Sequence, residues 1–241
     1  KLYPTLLVKG SALARDPGDF VPYDTETAAS LIADLKEIVP PYVRIQRIQR
    51  DIPKPQIIAG VMNSNLRQYA RRELKARGKK CNCINCRELW RAQIDPSTAE
   101  LKEIKYRSSG GDEYFLSFES GTKLLGYLRL RLDENATVRE LKVTGQAANI
   151  GKTGTGVQHM GLGSKLMKIA EEKAADYSKI RVTHGPGTRL YYEKLGYELS
   201  AKSKISDPRT LFCFLYLHLN IHIVYREICV LECSFRLLIT I

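Results

Sequence analysis

The sequence predicts a mixed α/β protein, and three patterns carry that reading. Strand-like, helical and again strand-like runs follow one another in the first fifty residues; a strand-rich stretch begins at Ile104; and from Gly161 the apolar period becomes helical. With 241 residues the chain can bury a substantial core, as one large domain or two small ones. Its apolar share of 44% and charged share of 27% are close to those of ordinary globular proteins.

The elements follow in order. Residues 1–10 are a short apolar run with β-branched and aromatic members, ended by Gly10, which predicts a strand. Residues 24–27 supply capping side chains, and Ala28, Leu31, Ile32, Leu35 and Ile38 then recur at helical spacing until Pro40 and Pro41 stop the pattern. In residues 41–50, Val43, Ile45 and Ile48 alternate with cations, as in a strand with a basic outer face. That order is the βαβ arrangement of a parallel sheet. Residues 65–78 read as a basic helix stopped by Gly78. Residues 113–118, 123–132 and 137–144 read as an antiparallel meander, broken at Gly121 and at residues 133–135. Leu162, Leu166, Ile169, Ala170, Ala174 and Tyr177 share one helical face. Residues 179–183 are a predicted strand, and residues 187–195 a short helix stopped by Gly196. Residues 211–241 are rich in large apolar side chains, interrupted by polar and charged ones such as Asn220, Arg226 and Glu232. They hold no unbroken apolar run of about 20 residues, so no membrane span is expected.

The formal net charge is +12. Between Arg44 and Arg91 thirteen cations stand against three acids, so most of the surplus lies in a fifth of the chain. A surplus that local predicts a polyanion footprint with salt-sensitive binding. The six cysteines form two groups, Cys81, Cys83 and Cys86, then Cys213, Cys229 and Cys233. No signal peptide precedes them, so a reducing, intracellular setting is expected, in which clustered thiols hold metal more often than they form disulfides. Three thiolates within six residues suit tetrahedral Zn²⁺ and leave one position to a residue elsewhere in the chain. The chain starts at Lys1 without methionine, and a fragment is expected.

Two phosphate-binding patterns lie end to end. Gly151-Lys152-Thr153 looks like the close of a triphosphate loop, but that loop needs four residues between its glycines and Gly145 to Gly151 encloses five. Gly154 and Gly156 also open a helix poorly. Gln158-His-Met-Gly-Leu-Gly163, by contrast, leads directly into the amphipathic helix. Its N–H groups and the helix dipole suit a pyrophosphate, and Gly161 and Gly163 let a ligand approach the backbone.

Strand Val138-Arg-Glu-Leu-Lys-Val-Thr-Gly145, then Gln158 to Met167 with Glu171 and Glu172, then Gly187-Thr-Arg-Leu-Tyr-Tyr-Glu-Lys-Leu-Gly-Tyr-Glu-Leu199, resemble the acetyl-CoA-binding half of a GNAT-type acetyltransferase. Leu2-Tyr-Pro-Thr-Leu6, Val39-Pro-Pro41, Arg47-Ile-Gln-Arg-Asp-Ile-Pro53, Gly60-Val61, Asn65-Leu-Arg67 and the run from Cys81 to Glu88 narrow it. In that order they resemble the tRNA uridine acetyltransferases that include the catalytic subunit of Elongator. The resemblance covers roughly residues 1–200.

It implies the end of a radical-SAM-like α/β barrel at 1–60, a basic zinc-binding linker at 61–95, a GNAT acetyltransferase domain at 96–200 and an atypical apolar tail at 201–241. It implies acetyl-CoA-dependent 5-carboxymethylation of the wobble uridine at position 34 of tRNA. A protein-lysine (histone) acetyltransferase and an inactive tRNA-binding remnant are the competing readings. Backbone groups of Glu140, Leu141, Lys142 and Val143 would hold pantetheine and acetyl group. Gln158, Gly161, Leu162, Gly163 and Ser164 would hold the pyrophosphate. Tyr192, with Tyr191 as rival, would act as general acid on the leaving thiolate, and His159 is a further catalytic or tRNA-contacting candidate. Cys81, Cys83 and Cys86 would take zinc, and Arg47, Arg50, Arg71, Arg72, Lys79 and Lys80 would face tRNA. Expected partners are tRNA, the other Elongator subunits and a second copy of the chain, with no membrane, in the cytoplasm and also the nucleus.

Four departures stand out. The family's C-x-x-x-C-x-x-C, which carries a 4Fe-4S cluster working with S-adenosylmethionine, is absent: Cys81-x-Cys83-x-x-Cys86 has another spacing, and Cys229-x-x-x-Cys233 meets Arg236. Val157 replaces an aromatic, residues 146–156 are rich in Gly and Thr, and the closing aromatic strand after Leu199 gives way to the apolar tail. Residues 211–216 are the candidate replacement strand.

Overall fold

The computed structural model describes residues 1–89, 94–145, 161–199 and, as backbone, 213–218. Its contacts form two compact units, Lys1–Arg87 and another from Glu88 onward.

The first unit runs β1 (Leu7–Val8), α1 (Ala12–Arg15), α2 (Thr25–Ile38), β2 (Ile57–Ala59), α3 (Leu66–Ala76) and α4 (Ile84–Arg87). Asp24 caps α2, its carboxylate accepting the Thr27 N–H at 2.7 Å, and that bond holds its pKa below the usual carboxylate value. The buried stripe of α2 is Ala28, Ala29, Ile32, Ala33 and Lys36, while Leu31 and Ile38 are exposed, so the expected face is rotated. Its alanines are small enough to let α3 lie close, with Leu66 and Ala70 in the same core. α3 stops as expected: Gly78 takes φ 67°, its N–H bonds the Lys75 carbonyl at 3.0 Å, and the Lys79 N–H bonds the Leu74 carbonyl at 2.9 Å. This paired closure satisfies two of the last helical carbonyls.

Residues 41–50 are not a strand, and the expected βαβ unit is absent among the described residues. Ile45 and Ile48 are buried in the core that α2 and α3 share, but no neighbouring strand pairs with them. Instead the Arg67 guanidinium donates to the carbonyls of Ile45 at 3.4 Å and Gln46 at 2.8 Å. A side chain here replaces a sheet ladder. β1 pairs antiparallel with β2, and only its two residues of the expected 1–10 strand are extended in a ladder.

The second unit is a seven-stranded sheet built from β3 (Glu100–Ser108), β4 (Gly111–Ser120), β5 (Lys123–Leu132), β6 (Ala136–Val143), β7 (Lys179–His184), β8 (Glu198–Leu199) and β9 (Cys213–His218). Helices α5 (Leu162–Lys173) and α6 (Arg189–Lys194) complete it. The sheet order is β3-β4-β5-β6-β7-β9-β8. β4 to β6 form the expected meander, preceded by β3 as an added edge strand. β3 gave no apolar alternation because it is an edge rich in Lys and Glu, a composition that discourages pairing with other chains. β6 and β7 are parallel, with α5 between them in the chain. β9 inserts between β7 and β8, so the sheet receives a closing strand, two residues beyond the expected position. The mixed sheet, with α5 joining its parallel pair, agrees with the α/β fold class expected from the sequence. The core lies where α5 meets the sheet: Leu166, Met167 and Ala170 pack with Leu128, Leu130, Val138, Ile180 and Val182.

Between β5 and β6 the register slips. Arg129 faces Glu140 and Leu130 faces Val138, which leaves Arg139 as an extra residue on β6. A bulge turns its strand and strengthens its twist. The parallel pairing of β6 with β7 ends at Val138, beside the bulge. Arg139 is held there by a 2.7 Å ion pair with the nearly buried Glu113, which also meets Arg131 at 3.3 Å.

Candidate functional site

Beyond Val138, β6 keeps β5 on one side but no longer pairs with β7 on the other. Among the described residues, no strand pairs with the backbone from Arg139 to Val143 on that side, and such an edge suits an extended ligand. The side chains here are engaged elsewhere. Glu140 accepts from the Tyr127 hydroxyl and from Arg129 Nε at 3.0 Å, Leu141 packs on the core, and Lys142 pairs with Glu88 at 2.8 Å.

α5 starts at Gly161, which takes the left-handed conformation at φ 67° and provides no side-chain cap. The N–H groups of Leu162, Gly163 and Ser164 precede the first helical bond, from Lys165 N–H to the Gly161 carbonyl at 3.0 Å. They form the positive end of the helix dipole. Leu162 anchors this turn by packing against Leu89 and Leu125. A Cβ placed on Gly163 would lie 2.7 Å from the Tyr191 hydroxyl and 3.7 Å from a Val143 methyl. The end of β6, the start of α5 and α6 therefore meet at one glycine.

Of the tyrosine pair on α6, Tyr192 is 5% exposed and Tyr191 37%. Burial, followed by the neighbouring Tyr191, pushes the Tyr192 phenol up to about 12, so it stays protonated at neutral pH. Its ring meets those of Tyr191 at 5.1 Å, His184 at 5.7 Å and Tyr197 at 6.0 Å. Gln158 and His159 lie outside the described residues.

Cys81, Cys83 and Cys86 bring their sulfurs within 4.8 Å of one another. Sulfurs bound tetrahedrally at about 2.3 Å from zinc would stand about 3.8 Å apart, so the three fit such an ion with a small closure. Lys36, fully buried, directs its ammonium at Cys86 Sγ, 3.4 Å away. Hydrogen bonds from Cys81 and Cys83, together with that ammonium, hold the Cys86 thiol well below its usual pKa. Lys36 was not among the expected residues. Its signal was a lysine one turn after Ile32, on the face that carries Ala28 and Ala29.

Arg47, Arg50, Arg71, Arg72, Lys79 and Lys80 are all exposed. Arg47 pairs with Asp51 at 2.7 Å and Lys79 with Glu37 at 2.6 Å, while Arg50 and Arg72 lie over the rings of Tyr3 and Tyr69. Part of the local surplus is thus neutralised by α2, since Arg77 also meets Asp34 there. Arg47, Arg50, Lys54 and Arg67 line a pocket of about 530 Å³ with Asp51 as its acid.

Residues 1–76 match the family model of the Radical_SAM C-terminal domain. The chain is 42% identical over 224 residues to a tRNA uridine(34) acetyltransferase of Dehalococcoides mccartyi, covering 83% of this chain and 49% of that protein. It is 40% identical to Elongator complex protein 3 of Dictyostelium discoideum, over 83% of this chain and 40% of the relative. The solved structure of archaeal Methanocaldococcus infernus Elp3 with an N-terminal deletion superposes over 90% of this chain and 54% of that one, with a TM-score of 0.76 at 35% identity. The chain belongs to the tRNA uridine(34) acetyltransferase family.

It matches the C-terminal portion of these relatives and spans about half their length or less. No described helix of this family member is long and apolar enough to cross a membrane. The C-x-x-x-C-x-x-C spacing does not occur among these 241 residues, and Cys229 and Cys233 lie outside the described ones.

Proposed function

We propose that this chain is the acetyl-CoA-binding and tRNA-binding portion of an enzyme that carboxymethylates uridine 34 of tRNA. The observation that carries this reading is the convergence of three features at Gly163: the unpaired edge of β6, the uncapped start of α5 and the tyrosine pair of α6. Pantetheine is an extended chain with amide groups, suited to the backbone of Glu140 to Val143. Pyrophosphate suits the N–H groups of Leu162, Gly163 and Ser164. Tyr192, kept protonated by burial, gives its proton to the leaving thiolate, and Tyr191 closes over the glycine turn.

The Cys81, Cys83 and Cys86 sulfurs are proposed to hold structural zinc, which cross-links α4 to the core of α2 and α3. The three thiolates and a divalent ion leave a net negative charge, and the Lys36 ammonium offsets it. The exposed Arg47, Arg50, Arg71, Arg72, Lys79 and Lys80 are proposed to face tRNA phosphates, within an assembly of Elongator subunits.

Acetyl-CoA cleavage measured with and without tRNA tests the reading. Stimulation by tRNA is expected. Neutralising Arg50, Arg71, Arg72 and Lys80 together should weaken tRNA binding and reduce the slope of log affinity against log salt by about 3 to 4. Stimulation by histone peptides alone would point to a lysine acetyltransferase, and cleavage by neither route to a binding remnant.

A further inference from the structure

His184 ends β7, two residues past the last parallel pair with β6, and is only 4% exposed. Its Nδ1 lies 2.7 Å from the Gly185 carbonyl oxygen. A carbonyl only accepts, so Nδ1 carries a proton, and the neutral form of this tautomer has its lone pair at Nε2. That Nε2 is buried and has no hydrogen-bond partner among the described residues. An unmet buried acceptor is destabilising, so a donor arriving with substrate is the economical explanation of its retention. The ring stands 5.7 Å from that of Tyr192, and at the neighbouring Gly185 and Gly187 an added Cβ would meet nothing within 4 Å among the described residues. A buried lone pair, the buried phenol and open space beside the chain are thus grouped at the end of β7.

We infer that His184 is the proton acceptor of the acyl-transfer site, taking the nucleophile's proton on Nε2 as the nucleophile attacks the thioester held beside Tyr192. This rests on the acetyl-CoA reading above. With water as nucleophile, oxygen bonds to the carbonyl carbon and its proton passes to Nε2. The carbon–sulfur bond then breaks with its electron pair going to sulfur, which takes the Tyr192 proton. The imidazolium returns its proton to the adjacent phenolate, so acetic acid and free thiol form and both side chains are restored. The Nδ1 bond to Gly185 fixes the tautomer, in the way an orienting partner fixes a catalytic histidine.

The test uses the full chain with His184→Ala and His184→Gln, acetyl-CoA binding by calorimetry, thiol release for turnover, and added imidazole. Binding should persist within about threefold while kcat falls about 100-fold in both variants. Imidazole should restore at least tenfold to His184→Ala and nothing to a Tyr192→Phe control. Wild-type turnover in either variant, or a loss in His184→Ala that imidazole does not relieve, would overturn the assignment and leave His184 as packing. A wild-type chain that neither binds nor cleaves acetyl-CoA would defeat the acyl-transfer reading itself, and this inference with it.

Discussion

Replacing Tyr192 by Phe lowers the turnover of acetyl-CoA about 100-fold and leaves its binding within a few-fold of wild type. The substitution removes one hydroxyl and keeps the ring, so the contacts with Tyr191, His184 and Tyr197 persist and the core under α5 is undisturbed. Only the transferable proton is lost, and that is felt when the thiolate leaves rather than when the thioester binds. Tyr191→Phe should behave in the opposite way. Its hydroxyl lies over Gly163, so its loss weakens binding and spares kcat. Thiol release at saturating and limiting acetyl-CoA separates the two variants. Equal effects on kcat would move the acid role away from Tyr192.

Stripping metal from the cysteine cluster should have the second large effect, confined to Lys1–Arg87. Cys83 is fully buried in a core with Ala28, Ile32, Leu66 and Ala70, and Cys81 and Cys86 pack against it. Structural zinc in small peptides supplies about 10–16 kcal/mol at neutral pH, as large as the whole stability of a domain. Without the ion, Lys36 faces a thiol cluster instead of a charge-balanced site. Chelation, or Cys83→Ser, is therefore expected to abolish hydrogen-exchange protection in α2 and α3 while α5 and β4 to β6 stay protected. One zinc per chain should be lost at the same time. Protection unchanged in α2 and α3 after chelation would show that the apolar core alone holds this unit.

Punctuation was the most readable part of this sequence. Asp24, Gly78 and Gly196 begin or end the helices where expected, because a cap or a left-handed glycine is decided locally. Elements set by distant partners were less readable. Residues 41–50 carry a strand-like alternation, yet the carbonyls of Ile45 and Gln46 meet Arg67 from α3. The stripe of α2 was misplaced because Lys36 counts as polar along the chain and becomes apolar-facing only through Cys86. Counting charge within a window missed Asp34 and Glu37 on α2. The Gly161 to Ser164 turn was legible from its glycines. The Arg139 bulge that opens β6 beside it was not, since a one-residue register slip leaves no compositional trace. His184 was equally silent, its lone pair being distinguished only by what fails to meet it.

One ligand, acetyl-CoA, held between the edge of β6 and the start of α5, is central to the proposed function. Calorimetric titration of acetyl-CoA into the full chain, beside the Gly163→Val variant, tests this directly. A Cβ at that glycine lies 2.7 Å from the Tyr191 hydroxyl, and valine's two further methyls would crowd the turn where the pyrophosphate is placed. One acetyl-CoA bound per wild-type chain, with affinity at least about tenfold weaker in the variant, is the predicted result. No binding by the folded wild-type chain, or equal binding by both proteins, would contradict it.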